Sequence, residues 1–214
     1  MSKNVSKKEI AYQVIKEGII SGILEATNIY TINDLFERFD IGRTPAREAL
    51  VILASEGLIV PIPRSGYQVK PISVQDLMEI FHLRRVLEIE SVGLATERIT
   101  GSEINILQDN NRQEHALAGS LISSETSEKY RKGFVLNLEF HQTIAKASGN
   151  KRLEKMIVNL LTELERVLVH DPYLAEPGQH SMIINQLRER DKLGSQETMK
   201  VHLEDTENRT LSRF

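Results

Sequence analysis

The sequence predicts a mainly α-helical chain in two parts: a small N-terminal unit of three helices and a β-hairpin, followed by an all-α antiparallel helical bundle. Three observations carry that expectation. Apolar residues recur at helical spacing through most of the 214 residues. The one stretch that reads as paired strands, 58–70, folds around a Pro- and Gly-containing turn. Beyond Pro71 the chain turns to long amphipathic segments separated by short Gly, Ser, Asn and Pro breaks, so the expected domains are 4–71 and 72–214.

In the first part, Ile10, Val14, Ile15, Ile19 and Ile20 mark a helix that Ser21-Gly22 ends. Thr31 with Asp34 three residues on resembles a capping box and starts a second helix, 32–39, with Leu35, Phe36 and Phe39 expected in the core. Asp40 to Arg43 make a tight turn. A third helix is expected to begin at Thr44 as N-cap with Pro45 in its first position. Its buried face is Ala46, Ala49, Leu50, Leu53 and Ala54, and Gly57 closes it. Two short helices joined by a four-residue turn have helix-turn-helix geometry. The hairpin after them forms a wing with Arg64, Ser65 and Gly66 at its tip, the glycine permitting close approach to a backbone.

That arrangement points to double-stranded DNA. Arg43, Thr44 and Arg47 lead the third helix, where a recognition helix meets base edges and phosphates. Arginine can grip guanine O6 and N7 with two donors, and a threonine hydroxyl can reach a phosphate. The plainer reading, a solvated face on which Arg43 and Arg47 pair with Asp40 or Glu48, stands beside it. Charge alone does not decide: residues 1–71 carry 9 Lys/Arg against 8 Asp/Glu, and the remainder 18 against 22.

Bulk composition narrows the classes. Forty per cent hydrophobic and 27 per cent charged residues suit a globular fold. No apolar run approaches the ~20 residues that span a bilayer, and MSKNVSKKEI lacks the apolar core of a secretory signal, so a cytoplasmic protein is expected. The absence of cysteine removes thiolate catalysis and Cys-type zinc sites.

In the second part, Ser73 with Asp76 caps a long helix carrying Leu77, Ile80, Phe81, Leu87 and Leu94. Further helices read as 103–120, 125–147, 152–169, 179–189 and 196–211, six in all. The informative residues are polar ones on apolar faces. Asn137 and His141 share the face of Phe134, Leu138 and Ile144; His180 aligns with Ile183, Ile184 and Leu187; His202 aligns with Met199 and Leu203. Three helices each turn a histidine inward, and such imidazoles can share a metal ion, although any one of them alone reads as an ordinary core histidine. His82, His115 and His170 read as surface residues. Arg84 lies on the apolar stripe with Glu88 one turn on. It reads either as an i,i+4 salt bridge or as a clamp for an anionic effector.

The run from Gly42 to Leu50 (GRTPAREAL), then Glu56-Gly57-Leu58, then Arg64-Ser65-Gly66-Tyr67-Gln68-Val69, resembles the GntR superfamily of bacterial regulators with its winged helix-turn-helix. The C-terminal motifs, Asn137-x-x-Phe140-His141, Ser148-Gly149-Asn150, Gln179-His180 and His202-Leu203, are similar to the FCD ligand-binding domain of the FadR subfamily. The resemblance implies a homodimer on a palindromic operator, acting as a repressor controlled by a small organic acid that reaches Arg84. It also implies a divalent ion of the zinc, nickel or manganese type held by Asn137, His141, His180 and His202. Asn137 departs from the usual aspartate, Gly42 from the usual serine, Ala46 from the usual valine, and Asn33 from an arginine that commonly meets a phosphate. The alternatives are a regulator for which the metal itself is the signal and, from another class, a metal-dependent hydrolase. For the hydrolase no base is well placed: Glu139 points about 160° away from His141 on a helix.

Overall fold

The computed structural model describes residues 6–119, 127–168 and 177–213. Two compact units divide the chain, Met1–Ile72 and Ser73–Phe214. The first holds α1 (Lys7–Ile20), β1 (Ile29–Tyr30), α2 (Ile32–Phe39), α3 (Arg43–Ser55), β2 (Ile59–Ile62) and β3 (Gly66–Val69). The second holds α4 (Val74–Arg98), α5 (Gly101–Gly119), α6 (Ser127–Ala147), α7 (Lys151–Leu168), α8 (Pro177–Glu189) and α9 (Lys192–Leu211).

In the N-terminal unit, α1 and α3 lie against one another around Ala11, Ile15, Leu35, Ala49, Leu50 and Leu53, all of them buried. Alanine on the facing side lets two helices approach closely while Leu and Ile fill the space between. The Thr31 hydroxyl accepts from Asp34 N at 3.2 Å, and the Asp34 carboxylate accepts from Thr31 N at 2.7 Å, so the capping box is reciprocal. Asp40 ends α2 in the left-handed region at φ 51°, which aspartate tolerates better than most residues.

Three local expectations are corrected here. Gly42, not Thr44, is the N-cap of α3, and Pro45 is its third residue. That position still lies within the first turn, where a missing N–H forfeits no helical bond. Of the α2 apolar residues only Leu35 is fully buried; Phe36 is half-exposed and carries the Arg43 guanidinium 4.7 Å above its ring. The sheet has a third strand, β1, pairing with β3 through Ile29–Gln68 and Tyr30–Tyr67, in the order β1-β3-β2. A two-residue strand leaves no periodicity to read. The wing glycine does allow a close backbone approach, here to the chain itself: Gly66 has φ 144°, and a Cβ there would stand 2.5 Å from the Tyr30 carbonyl oxygen.

In the C-terminal unit α4 packs against α6, α7, α8 and α9, while α5 joins α6 and α8. The buried side of α4 runs Leu77, Phe81, Arg84, Glu88, Val92, Ala95, at a spacing of three and four. Leu87 and Leu94, expected on this face, flank it and pack beside Ala145, Leu153, Ile157 and Leu161. The helix therefore carries an apolar core at its C-terminal half and a buried ion pair in its middle. The last helix begins at Lys192, four residues before the expected start. Asp191 caps it by accepting from Gly194 N at 3.0 Å, and a Cβ at 194 would collide with that carboxylate. Pro177 and Gly178, read as a break, form the first turn of α8. The expected helix ends at 120 and 169, the expected helix start at 125 and the surface position of His170 fall outside the described residues. No helix among those described is long and apolar enough to cross a membrane.

Gly66→Ala is expected to destabilise the N-terminal unit by more than about 1 kcal/mol, because it combines a positive φ with a backbone collision. Denaturant unfolding followed by circular dichroism checks this, with Ser65→Ala, exposed at the same tip, expected to stay within about 0.5 kcal/mol of the parent.

Candidate functional site

His141 on α6, His180 on α8 and His202 on α9 each sit at a core-facing position of an amphipathic helix, and all three are buried. Spacing turns each inward; the fold brings them together, with one ligand atom from each lying within 4.8 Å of the others. Each imidazole is held from behind through Nδ1. His141 Nδ1 is 2.5 Å from Glu88 Oε2, His180 Nδ1 is 2.8 Å from Glu114 Oε2, and His202 Nδ1 is 2.9 Å from Gln179 Oε1. The Gln179 amide in turn donates to Asp205 at 2.6 Å, which turns its oxygen toward His202.

Hydrogen bonds to Glu114 and Gln179 at His180 and His202, and the Glu88 carboxylate close behind His141, favour the tautomer with hydrogen on Nδ1 and a lone pair on Nε2. Those lone pairs face inward. His141 Nε2 and His202 Nε2 are 3.3 Å apart, and His180 Nε2 is buried with no hydrogen-bond partner among the described residues. Two imidazoles that carry their hydrogens on Nδ1 cannot hydrogen-bond to each other through Nε2, so in this tautomer the cluster presents three acceptors and no donor of its own. Such a donor set, with acceptors behind it, could hold a divalent metal ion. Phe140 stacks on His180 with centroids 3.7 Å apart and closes one side with an apolar ring.

The electrostatics favour the neutral imidazole. Burial pushes His141 below the usual histidine range against the pull of Glu88, and burial with the neighbouring histidines pushes His202 well below it. Burial alone would raise the Glu88 carboxyl, but Arg84 and His141 outweigh it and hold the group at about 2.

Arg84 satisfies one of its two readings visibly: its Nε donates to Glu88 Oε1 at 2.6 Å. The ion pair uses only that nitrogen. Arg84 is 1% exposed, and both Nη1 and Nη2 are buried with no hydrogen-bond partner among the described residues. A buried guanidinium with an idle pair of donors is expensive unless an acceptor with two oxygens completes it. Asn137 is buried on α6 one turn before His141. Glu139 is exposed, its carboxylate 3.4 Å from the Asn110 amide, and so offers no base to the cluster.

In the N-terminal unit Arg43, Thr44 and Arg47 are exposed on the first turns of α3, and no side chain caps that helix. Arg43 Nε donates to Asn33 Oδ1 at 2.8 Å rather than to a carboxylate. Arg64 stands at the wing tip with φ 62°, Ser65 beside it is exposed, and Gly66 is half-buried at the start of β3.

Sequence reasoning missed Glu114 and Gln179 and saw in Glu88 only a partner for Arg84. Glu114 had a signal: Ile104, Leu107, Asn111 and Glu114 follow one buried stripe on α5, so a carboxylate stands where an apolar residue belongs. Gln179 sits in the first turn of α8, where periodicity carries little information.

Comparison with known proteins decides the class. The model of bacterial regulatory proteins of the gntR family matches residues 7–69, and that of the FCD domain matches residues 79–205. The chain belongs to the gntR family. It is a DNA-binding transcription regulator with an FCD effector-binding domain, and not an enzyme. The transcriptional repressor GlaR of Escherichia coli is 29% identical over 90% of each chain. The gluconate operon repressor of Bacillus subtilis is 23% identical over 98% of this chain and 86% of its own. Among solved structures, E. coli McbR/YncC superposes with a TM-score of 0.81 at 21% identity, covering 98% of this chain and 99% of that one, which shows the shared fold.

Acid should unfold the metal-free C-terminal unit in two stages. His141 and His202 have folded values below the unfolded 6.5, so the unfolded chain binds more protons and stability falls as pH drops below about 6.5. Glu88 adds a second loss as pH falls from about 4.5 toward about 2. Urea midpoints measured from pH 8 to pH 3 check the sign, and Glu88→Gln should lower stability by about 3–5 kcal/mol at neutral pH by leaving Arg84 unpaired.

Proposed function

We propose that this regulator represses transcription from a palindromic operator as a cytoplasmic homodimer, and that a small carboxylate bound in the helical unit releases it. The observation that carries the reading is the pairing of three inward Nε2 lone pairs with the idle Nη pair of Arg84, joined through Glu88. His141, His180 and His202, with the Asn137 amide oxygen, would hold a divalent ion of the zinc, nickel or manganese type. The ion would supply a Lewis-acid contact for one carboxylate oxygen of the effector. Asn137 lacks the charge of an aspartate, so the three imidazoles carry most of the affinity.

Arg84 gives the site its preference for anions. Its Nη1 and Nη2 would clasp the effector carboxylate as a fork, while Glu88 keeps the guanidinium plane fixed. The gluconate operon named for one relative concerns a carboxylate of this class. Effector binding alters operator affinity only through a difference in its affinity for the two arrangements of the protein. On the DNA side, Arg43 and Arg47 would read base edges, Thr44 a phosphate, and Arg64, Ser65 and Gly66 would enter the adjacent groove.

Three experiments test the reading. Elemental analysis should find one divalent ion per chain, lost in His141→Ala. Metal absent from both, with equal stability, would remove the site, whereas loose metal that changes DNA affinity by itself would favour metal as the signal. Arg84→Met should abolish the response of DNA binding to small organic acids while retaining the metal; an intact response would dismiss the clamp. Arg47→Ala should weaken operator binding by about 1–3 kcal/mol if the side chain reads a base, as fluorescence anisotropy would show.

A further inference from the structure

The exposed arginine at the start of α3 is held in place before any DNA arrives. A free surface arginine has four rotatable side-chain bonds and forfeits their freedom when it binds. Arg43 has already lost much of that freedom. Its Nε–H is donated to Asn33 Oδ1 at 2.8 Å, and its guanidinium lies over the Phe36 ring at 4.7 Å. Asn33 and Phe36 belong to α2, and the capping box at Thr31 fixes the turn that bears Asn33. Phe36 is half-exposed next to fully buried Leu35, so its outer face is open to the arginine.

The two contacts also determine which edge of the guanidinium remains available. The Nε–H is taken by the Asn33 oxygen, and one face of the guanidinium lies over Phe36. What remains is the end-on fork of Nη1 and Nη2, pointing along a direction set by α2. Such a fork matches the O6/N7 pair of guanine in the major groove. A mobile arginine reaches a phosphate or a neighbouring base with similar ease, whereas a clamped one favours one position.

We infer that Asn33 and Phe36 are positioning residues that lock Arg43 end-on for guanine, so that α2 sets sequence specificity without touching the base itself. The inference rests on the reading of Arg43 as a base contact. Asn33 acts on DNA binding only through Arg43, and loss of the clamp lowers discrimination more than it lowers general attraction to the backbone.

The test is a double-mutant cycle on the full chain, using duplexes enriched by the wild-type protein from a random-sequence pool. Arg43→Ala identifies the base pair it reads, as the position where the guanine preference disappears. Asn33→Ala should then reduce guanine-over-adenine discrimination at that same base pair, weaken binding about 2- to 10-fold, and leave the salt slope unchanged. In the Arg43→Ala background it should have no further effect. Alanine suits a helix better than asparagine, so loss of fold is not expected from this change, and Phe36→Leu provides a second variant with the same expected pattern. Equal losses from Asn33→Ala in both backgrounds, or no loss in either, would overturn the clamp while leaving Arg43 as a contact. Unchanged discrimination in Arg43→Ala would instead overturn the reading of Arg43 on which the clamp rests.

Discussion

A buried imidazole has two nitrogens, and each needs a partner that water would otherwise provide. Here three imidazoles are buried together, and their needs are met asymmetrically. Glu88, Glu114 and Gln179 take the Nδ1 side, and each comes from a different helix. The Nε2 side is left to converge, with His180 Nε2 meeting no hydrogen-bond partner among the described residues. Five of the six bundle helices, α4, α5, α6, α8 and α9, contribute either an imidazole or its acceptor. Their relative placement is therefore tied to one polar centre rather than to apolar packing alone.

That centre explains the composition of α4. An apolar helix in this position would pack well, yet its middle carries Arg84 and Glu88 at full burial. Ion pairs so deep are rarely a net source of stability compared with well-packed apolar residues. Their presence makes sense as function: Glu88 divides its two oxygens between the arginine and a histidine, so a change at either is felt by the other. In the proposed function this carboxylate would be the physical link by which an anion at Arg84 and an ion at the imidazoles influence one another.

Much of this was legible from residue order. The helix-turn-helix, the wing, the six-helix bundle and the inward direction of His141, His180 and His202 all follow from spacing and caps, because burial of an amphipathic face is a local pattern. What escaped was of two kinds. The β1 strand and the α3 and α9 starts depend on two-residue pairings or on which neighbour caps a turn, and propensity does not resolve such choices. The roles of Glu88, Glu114 and Gln179 depend on side chains up to 66 residues apart meeting in space, which no periodicity encodes. Glu114 came nearest to being readable, as a carboxylate on an otherwise buried stripe. The two pairings of Arg43 lay hidden for the same reason: Asn33 looked only like a missing phosphate contact, and Phe36 like one more core residue.

The central claim is that the three Nε2 atoms are turned inward to hold one ion. X-ray absorption at the metal edge of zinc-loaded protein tests it most directly, since the outer-shell scattering of imidazole rings reports how many histidines are bound. The account predicts three imidazoles with nitrogen at about 2.0–2.1 Å and the remaining positions filled by oxygen. A spectrum showing one imidazole or none would contradict it.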